Sequence, residues 1–250
     1  DTSAAFAAGL AACYHQVPVA HVEAGLRSGD AYNPFPEEIS RRLLGVLAEV
    51  HFAPTARARE NLLQENVPPE RIYVTGNTAV DALLFAARRR VPSGALPVPA
   101  ECLRGRRLVL VTAHRRESWE RGIAEIGLAL RDLTERFPDI IVVYSVHPNP
   151  KVRKVAEKLL GGRERVLLIE PPEYAPFVAL MKQAYVILTD SGGIQEEAPS
   201  LSKPVLVMRE TTERQEGIEA GCAELVGVRR EKIVARASVL LRDPARYRAM

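Results

Sequence analysis

Tyr185-Val186-Ile187-Leu188-Thr189-Asp190-Ser191-Gly192-Gly193-Ile194-Gln195-Glu196-Glu197 is the stretch that decides how this chain folds. Its first five residues are an apolar run of strand length, which stops at Asp-Ser-Gly-Gly before a helix pattern begins. A strand that gives way so abruptly to a helix aims the helix's first N–H groups at one point, where the helix dipole also favours an anion. A diphosphate suits that point. Glu196 and Glu197, expected in the first helical turn, suit the hydroxyls of an attached sugar. The same residues also fit an ordinary strand-to-helix turn with a capping serine.

Outward from this run the chain alternates short apolar stretches with amphipathic ones, the pattern of an α/β protein with parallel strands. Strands are expected at 17–22, 50–53 and 72–75, then at 108–112, 140–146, 166–169, 185–189 and 205–208. Helices are expected at 3–15, 37–47, 56–65 and 78–87, then at 120–137, 150–160, 176–184, 193–201 and 230–241. Pro92, Gly94, Pro97, Pro99 and Gly105 interrupt the pattern, so residues 91–107 read as a linker. The expected architecture is two Rossmann-like domains, 1–90 and 108–250, facing each other across a cleft, with ligands at the carboxyl ends of the strands.

Composition narrows the function classes. The chain has 250 residues, is 47% hydrophobic and 26% charged, and its net charge is only +3. That balance favours neither a nucleic-acid footprint nor a membrane-surface patch. The clusters Arg88-Arg89-Arg90 and Arg104-Gly105-Arg106-Arg107 are short and flank the Pro-rich stretch, so they read as solvated charge. Cys13, Cys102 and Cys222 lie far apart with no paired spacing; they argue for neither a zinc site nor a disulfide framework and suit a reducing cytoplasm. No apolar run reaches the roughly 18 residues of a membrane span.

The polar motifs fall at strand ends. His21 to Arg27 leaves one strand, Thr112 to Glu117 leaves another, and Pro34-Phe35-Pro36-Glu37-Glu38 opens a helix. Glu37 and Arg41, four residues apart, share a helix face, so Arg41 can orient a carboxylate or hold phosphate charge; a surface ion pair of little energetic consequence is the alternative. His114 stands beside two arginines. His147, in Ser145-Val146-His147-Pro148-Asn149-Pro150, reads either as a ligand of a second site or as a cap before a Pro-started helix.

Taken together, HVEAGLRSGD, PFPEE followed by Arg41, HFAPT, TGNTAVDAL, TAHRRES, HPNP, DSGGIQEEAPSLSKPVLVMRETTER and ELVG resemble, in order and spacing, the non-hydrolysing UDP-N-acetylglucosamine 2-epimerases from Asp1 to Met250. The resemblance implies a glycosyltransferase-B-like fold, a homodimer, and interconversion of UDP-GlcNAc and UDP-ManNAc with no metal and no cofactor. It implies that Asp1, Glu23, Glu37 and His114 are catalytic and that Arg41, Arg115, Phe177, Ser191, Gly192, Gly193, Glu197 and Arg214 bind the substrate. Phe177 would pack on the uracil. His147 becomes the candidate for an allosteric UDP-GlcNAc site. Ser40, Ser202 and Gln215 depart from the family's usual Asn, Gly and Pro without removing a titratable group. The resemblance also implies that the first domain is incomplete and that the family's last helix is absent. Three other classes share parts of the pattern: a hydrolysing epimerase or one acting on a related UDP-2-acetamido sugar, a glycosyltransferase, and a nucleotide-sugar sensor without turnover.

Overall fold

The computed structural model describes residues 2–89, 91–115 and 121–250. Asp1, Arg90 and the segment 116–120 lie outside the described residues. The chain divides into two compact units, 1–81 and 82–250.

In the first unit, strands β1 (Ala20–Val22), β2 (Val50–Ala53) and β3 (Ile72–Val74) form a parallel sheet in the order β1-β2-β3. Helices α1 (Ser3–Tyr14), α2 (Glu37–Leu47) and α3 (Ala56–Gln64) belong to this unit. Strand β1 starts three residues later than the apolar run suggests, because its ladder with β2 comprises only Ala20, His21 and Val22, and Pro18 has no N–H to offer one. The core is small: Ala24, Leu26, Ala53, Ala58, Leu62 and Ile72. Thr55 caps α3 by accepting the Ala58 N–H at 3.0 Å.

Helix α4 (Thr78–Arg88) contributes Leu83 and Ala86 to the core of the second unit, so the division falls inside this helix and not at residue 90. The Pro-rich stretch is more ordered than a linker: it buries Val98 in the same core and forms the short helix α5 (Ala100–Leu103).

The second unit carries β4 (Arg107–Ala113), β5 (Ile140–Val146), β6 (Val166–Ile169), β7 (Ala184–Thr189), β8 (Val205–Val207) and β9 (Ala223–Leu225). They form one parallel sheet in the order β6-β5-β4-β7-β8-β9. Strand side chains alternate between two faces. On one side Val109, Val111, Ile140, Val142, Val186 and Leu188 pack with Ile123, Ile126, Leu130 and Leu133 of α6 (Arg121–Arg136), and with α7 (Pro150–Leu160) and α11 (Arg230–Arg242). On the other, Leu108, Leu110, Ile141, Val143 and Ile187 pack with α8 (Tyr174–Gln183) and α9 (Gly192–Ser200). The 3- and 4-residue spacing along α6 is the stripe that one buried helix face requires. Helix α8 begins two residues before Pro176, which is tolerated in the first turn because no intrahelical bond needs its N–H. Helices α10 (Gln215–Glu219) and α12 (Pro244–Arg248) complete the unit.

This strand order is that of a doubly wound fold. The chain leaves β4 toward β5 and β6, then crosses back to β7 on the other side. The switch point therefore lies between the carboxyl ends of β4 and β7, at His114-Arg115 and Asp190-Ser191.

His21 and His51 are register partners in the first sheet, and both are buried. Burial pushes the His21 imidazole down to about 4 and lowers that of His51 as well. An unfolded chain takes up these protons from about pH 6.5 downward while the folded chain does not, so stability falls as the pH drops from 6.5 towards 4. Denaturant midpoints measured at intervals between pH 7.5 and 4.5 are expected to show a loss of roughly 1–3 kcal/mol, at most ~1.4 kcal/mol per pH unit for one group. His21→Asn is expected to flatten that slope.

Candidate functional site

The switch point of the second unit is held by one carboxylate. Thr112 and Thr189, opposite each other in the β4/β7 register, share a 2.6 Å hydroxyl contact, and Thr189 Oγ1 accepts the Ser191 N–H at 3.0 Å. Asp190 follows, 0% exposed. Its Oδ2 accepts the backbone N–H groups of His114 at 2.7 Å and Arg115 at 2.8 Å, and its Oδ1 lies 3.0 Å from His114 Nδ1. A buried carboxylate is tolerable only when hydrogen bonds compensate it, and the two backbone N–H groups do so at Oδ2, while Oδ1 is left facing the His114 ring. The His114 ring stacks on His147, with centroids 5.8 Å apart and planes 13° from parallel. His147 Nδ1 accepts the Asn149 N–H at 3.2 Å, so the neutral ring carries its proton on Nε2. Asn149 itself caps α7, with Pro150 in the first turn.

Helix α9 begins at Gly192, which places Glu196 and Glu197 in its second turn and not in the first. Ser191 occupies the N-cap position, but its side chain makes no capping bond. Arg214 lies directly over the first turn: a Cβ on Gly192 would stand 2.7 Å from Arg214 Nη1 and 2.9 Å from Cζ. A Cβ on Gly193 would meet nothing within 4 Å. Arg214 Nε donates to Glu196 at 2.7 Å, and its Nη1 pairs with the fully buried side chain of Glu213. Glu213 also accepts from Arg209 at 3.0 Å. Thr212 bonds Gln195 at 2.6 Å, so the segment 209–214 is stitched to α9 by both charge and hydroxyl. Glu197 is buried, which raises its carboxyl, and it accepts the Tyr174 hydroxyl at 2.9 Å. Local desolvation of the hydroxyl, together with this bond, pushes the half-exposed Tyr174 up to about 12. Phe177 packs against the same apolar cluster as α8 and α9.

In the first unit, the loop after β1 carries the acidic candidates. Glu23 has φ 63°, a left-handed conformation unusual for a residue with a Cβ. Gly25, at φ 87°, admits no side chain, since its Cβ would stand 2.1 Å from the Ala58 carbonyl oxygen. Further on, Arg27 makes a bidentate pair with Glu65 at 2.7 and 2.6 Å. Glu38 is buried and accepts the N–H groups of Ser28 and Gly29 at 3.0 and 3.3 Å and Arg42 at 3.1 Å. Glu37 opens α2, and Arg41, one turn on, is 2% exposed. Asp1, the remaining acidic candidate, lies outside the described residues.

The family model for UDP-N-acetylglucosamine 2-epimerase matches residues 1–250. The chain belongs to the UDP-N-acetylglucosamine 2-epimerase family. It is 51% identical to the UDP-N-acetylglucosamine 2-epimerase of Escherichia coli K12, over all of this chain and 68% of that protein. Among solved structures it is similar to S. aureus MnaA in a co-structure with UDP, with TM-score 0.95, 48% identity, and coverage of 100% of this chain and 66% of that one. It is also similar to the Neisseria meningitidis UDP-GlcNAc 2-epimerase bound to UDP-GlcNAc, with TM-score 0.93, 45% identity, and coverage of 100% and 68%. The chain thus spans about two thirds of the length of these relatives.

Within this epimerase-family chain the structure brings His114, Arg115, Ser191 and Gly192 to one switch point and sets Glu197 a turn deeper on α9. It also shows partners that the motifs do not reveal singly: Asp190 as the clamp, Arg209 and Glu213 behind Arg214, Tyr174 on Glu197, and Glu38 under the 23–29 loop. A signal existed for two of them, since Arg209 and Glu213 are four apart in RETTER and Glu38 follows Glu37 directly.

The two adjacent glycines are expected to respond oppositely to substitution. Gly192→Ala pushes against an arginine held by two carboxylates and should cost about 1–3 kcal/mol of stability, the range for overpacking. Gly193→Ala meets open space and should be neutral or slightly stabilising. Urea midpoints of the two variants test the contrast.

Proposed function

We propose that the chain is the larger part of a non-hydrolysing epimerase that interconverts UDP-GlcNAc and UDP-ManNAc. The observation that carries this reading is the Asp190 clamp, which presents the α9 N-terminus, His114 and Arg115 at a single switch point. There the first N–H groups of α9 suit a diphosphate, and the open space over Gly193 leaves room for it. Glu197, oriented by Tyr174, suits the ribose hydroxyls, with Phe177 beside the base. UDP and UDP-GlcNAc in the two related structures favour the same ligand class.

The chemistry then sets which groups the reaction needs. Carbon 2 of the sugar carries a weakly acidic proton with no ring carbonyl beside it. A base takes that proton while the bond from carbon 1 to the diphosphate oxygen breaks, and the electron pair leaves with UDP. The product is a 2-acetamidoglucal. Re-addition of UDP at carbon 1, with a proton delivered to the opposite face of carbon 2, completes the inversion. A positioned acid or base contributes about 10²–10⁴-fold. Glu23, Glu37 and Asp1 are the acid and base candidates, Arg41 the partner cation of Glu37, and His114 the group that meets charge developing on the leaving diphosphate. Arg214 serves this site through α9, because its guanidinium is engaged by Glu196 and Glu213.

The resemblance also supports a homodimer in the cytoplasm and a regulatory role for His147, whose stack on His114 gives a second bound sugar nucleotide a direct route to the diphosphate site. No helix among the described residues is long and apolar enough to cross a membrane.

Proton NMR of UDP-GlcNAc with the full-length polypeptide in D2O should show UDP-ManNAc forming with one deuterium at carbon 2, at a rate unaffected by EDTA. Free ManNAc with UDP would identify a hydrolysing enzyme, and retention of the original proton would exclude the elimination route. Glu37→Gln, nearly isosteric, should lower kcat by about 10²-fold or more while leaving UDP affinity within a factor of two to three.

A further inference from the structure

Asn77 connects two elements that the sequence separates by more than fifty residues. It stands between β3 and α4, while Glu23 follows β1, and the two strands flank β2. Both loops are anchored on the end of β2: the Ala24 N–H donates to the Phe52 carbonyl and the Thr75 N–H to the Ala53 carbonyl, each at 3.0 Å. The Asn77 side-chain oxygen accepts the Ala79 N–H at 2.9 Å at the start of α4. That bond decides which way the amide faces, because the oxygen is taken by the helix and the NH2 group points elsewhere. It points to Glu23, donating to Oε1 at 3.3 Å. Glu23 itself is held at φ 63°, and Gly76, next to Asn77, at φ 77°. Two loops, each with a residue at positive φ, therefore meet at an amide-to-carboxylate bond. The strain lies at Glu23, because a glycine takes positive φ freely; strain at a residue with a Cβ persists where surrounding structure holds it and concentrates at functional sites.

We infer that Asn77 is a positioning residue for the Glu23 carboxylate, fixing its rotamer and plane for proton transfer at the sugar while also capping α4. The inference rests on the epimerase reading for its kinetic consequence and on the geometry alone for the contact. A misplacement of about 1 Å in a reacting group can cost on the order of 10²-fold in rate. Capping and positioning make opposite demands on a substitution. Asn77→Asp keeps the shape and the acceptor oxygen that caps α4, but it turns an oxygen towards Glu23 in place of the NH2. Asn77→Ser likewise keeps a capping oxygen and loses the donor.

The test uses the full-length polypeptide. Asn77→Asp should lower kcat for deuterium incorporation at carbon 2 by about 10–100-fold, with KM for UDP-GlcNAc within threefold and the thermal midpoint unchanged. The double variant Glu23→Gln, Asn77→Asp should be no slower than Glu23→Gln alone, since both changes act through one group. Wild-type kcat in Asn77→Asp, or a loss of rate matched by a loss of stability, overturns the positioning role. A readout independent of turnover keeps the two readings apart. The side-chain 13C carboxyl resonance of Glu23, assigned by its absence in Glu23→Gln, should move in Asn77→Asp. If it does not move, the contact is refuted even in an active epimerase. If it moves in a protein that never converts UDP-GlcNAc, the contact stands and the epimerase reading falls.

Discussion

The Asp190 carboxylate, buried between the ends of β4 and β7, is the constraint on which the second unit's site depends. Parallel strands that end side by side leave their last N–H groups without ladder partners, and here two of those groups, from His114 and Arg115, find them on one carboxylate. Removing a carboxylate from water costs several kcal/mol unless it is compensated. The loop after β4 is therefore locked to the loop after β7, which sets where His114 stands relative to α9. A Rossmann-type switch point provides only a crevice; the Asp190 bonds turn that crevice into a defined arrangement of imidazole, backbone N–H groups and helix terminus.

Behind that arrangement lies a line of alternating charge, Arg209, Glu213, Arg214 and Glu196, with its hydroxyl counterpart Thr212 on Gln195. Two cations and two carboxylates offset one another, so the line stiffens the first turn of α9 without adding net charge there. Its closeness to the helix explains Gly192, where a single methyl group would collide with Arg214. Anion affinity at such a site comes mainly from oriented N–H groups and the helix dipole, which remain fixed only if the turn beneath them cannot shift.

The first unit solves a different problem with a much smaller apolar core. Its 23–29 loop is positioned by polar anchors: Glu38 under Ser28 and Gly29, Asn61 on the Gly25 carbonyl at 2.9 Å, Glu65 on Arg27, and Asn77 on Glu23. Each anchor satisfies backbone or side-chain groups that a short, three-residue strand cannot pair. Where hydrophobic burial is limited, directional bonds carry more of the task of holding a loop in one conformation.

Elements with long apolar runs were legible in the sequence because burial on both faces of a parallel sheet writes itself as continuous hydrophobicity; β5 and β6 have the ends that their runs suggest. Strand β9 was not legible, since three residues including Glu224 carry no period, and α10 and α12 are too short to show one. The places of the polar motifs were legible: the DSGG run after β7, His114 after β4, and the paired acids that open α2. Which acid does what was not. Glu37 and Glu38 are adjacent in the chain, and only the packing of α2 against the 28–29 loop commits Glu38 to the backbone. For the elements with a clear period, the sequence by itself determined, to within one or two residues, where strands stop and helices start, and hence which polar residues stand at strand ends, because those properties follow from local periodicity and turn chemistry. Only the tertiary structure decided that Asp190 reaches residues 75 and 76 positions away, that Arg214 lies over Gly192, and that Asn77 meets Glu23. Such pairings depend on strand order and register, and these emerge when the two faces of each sheet are buried together.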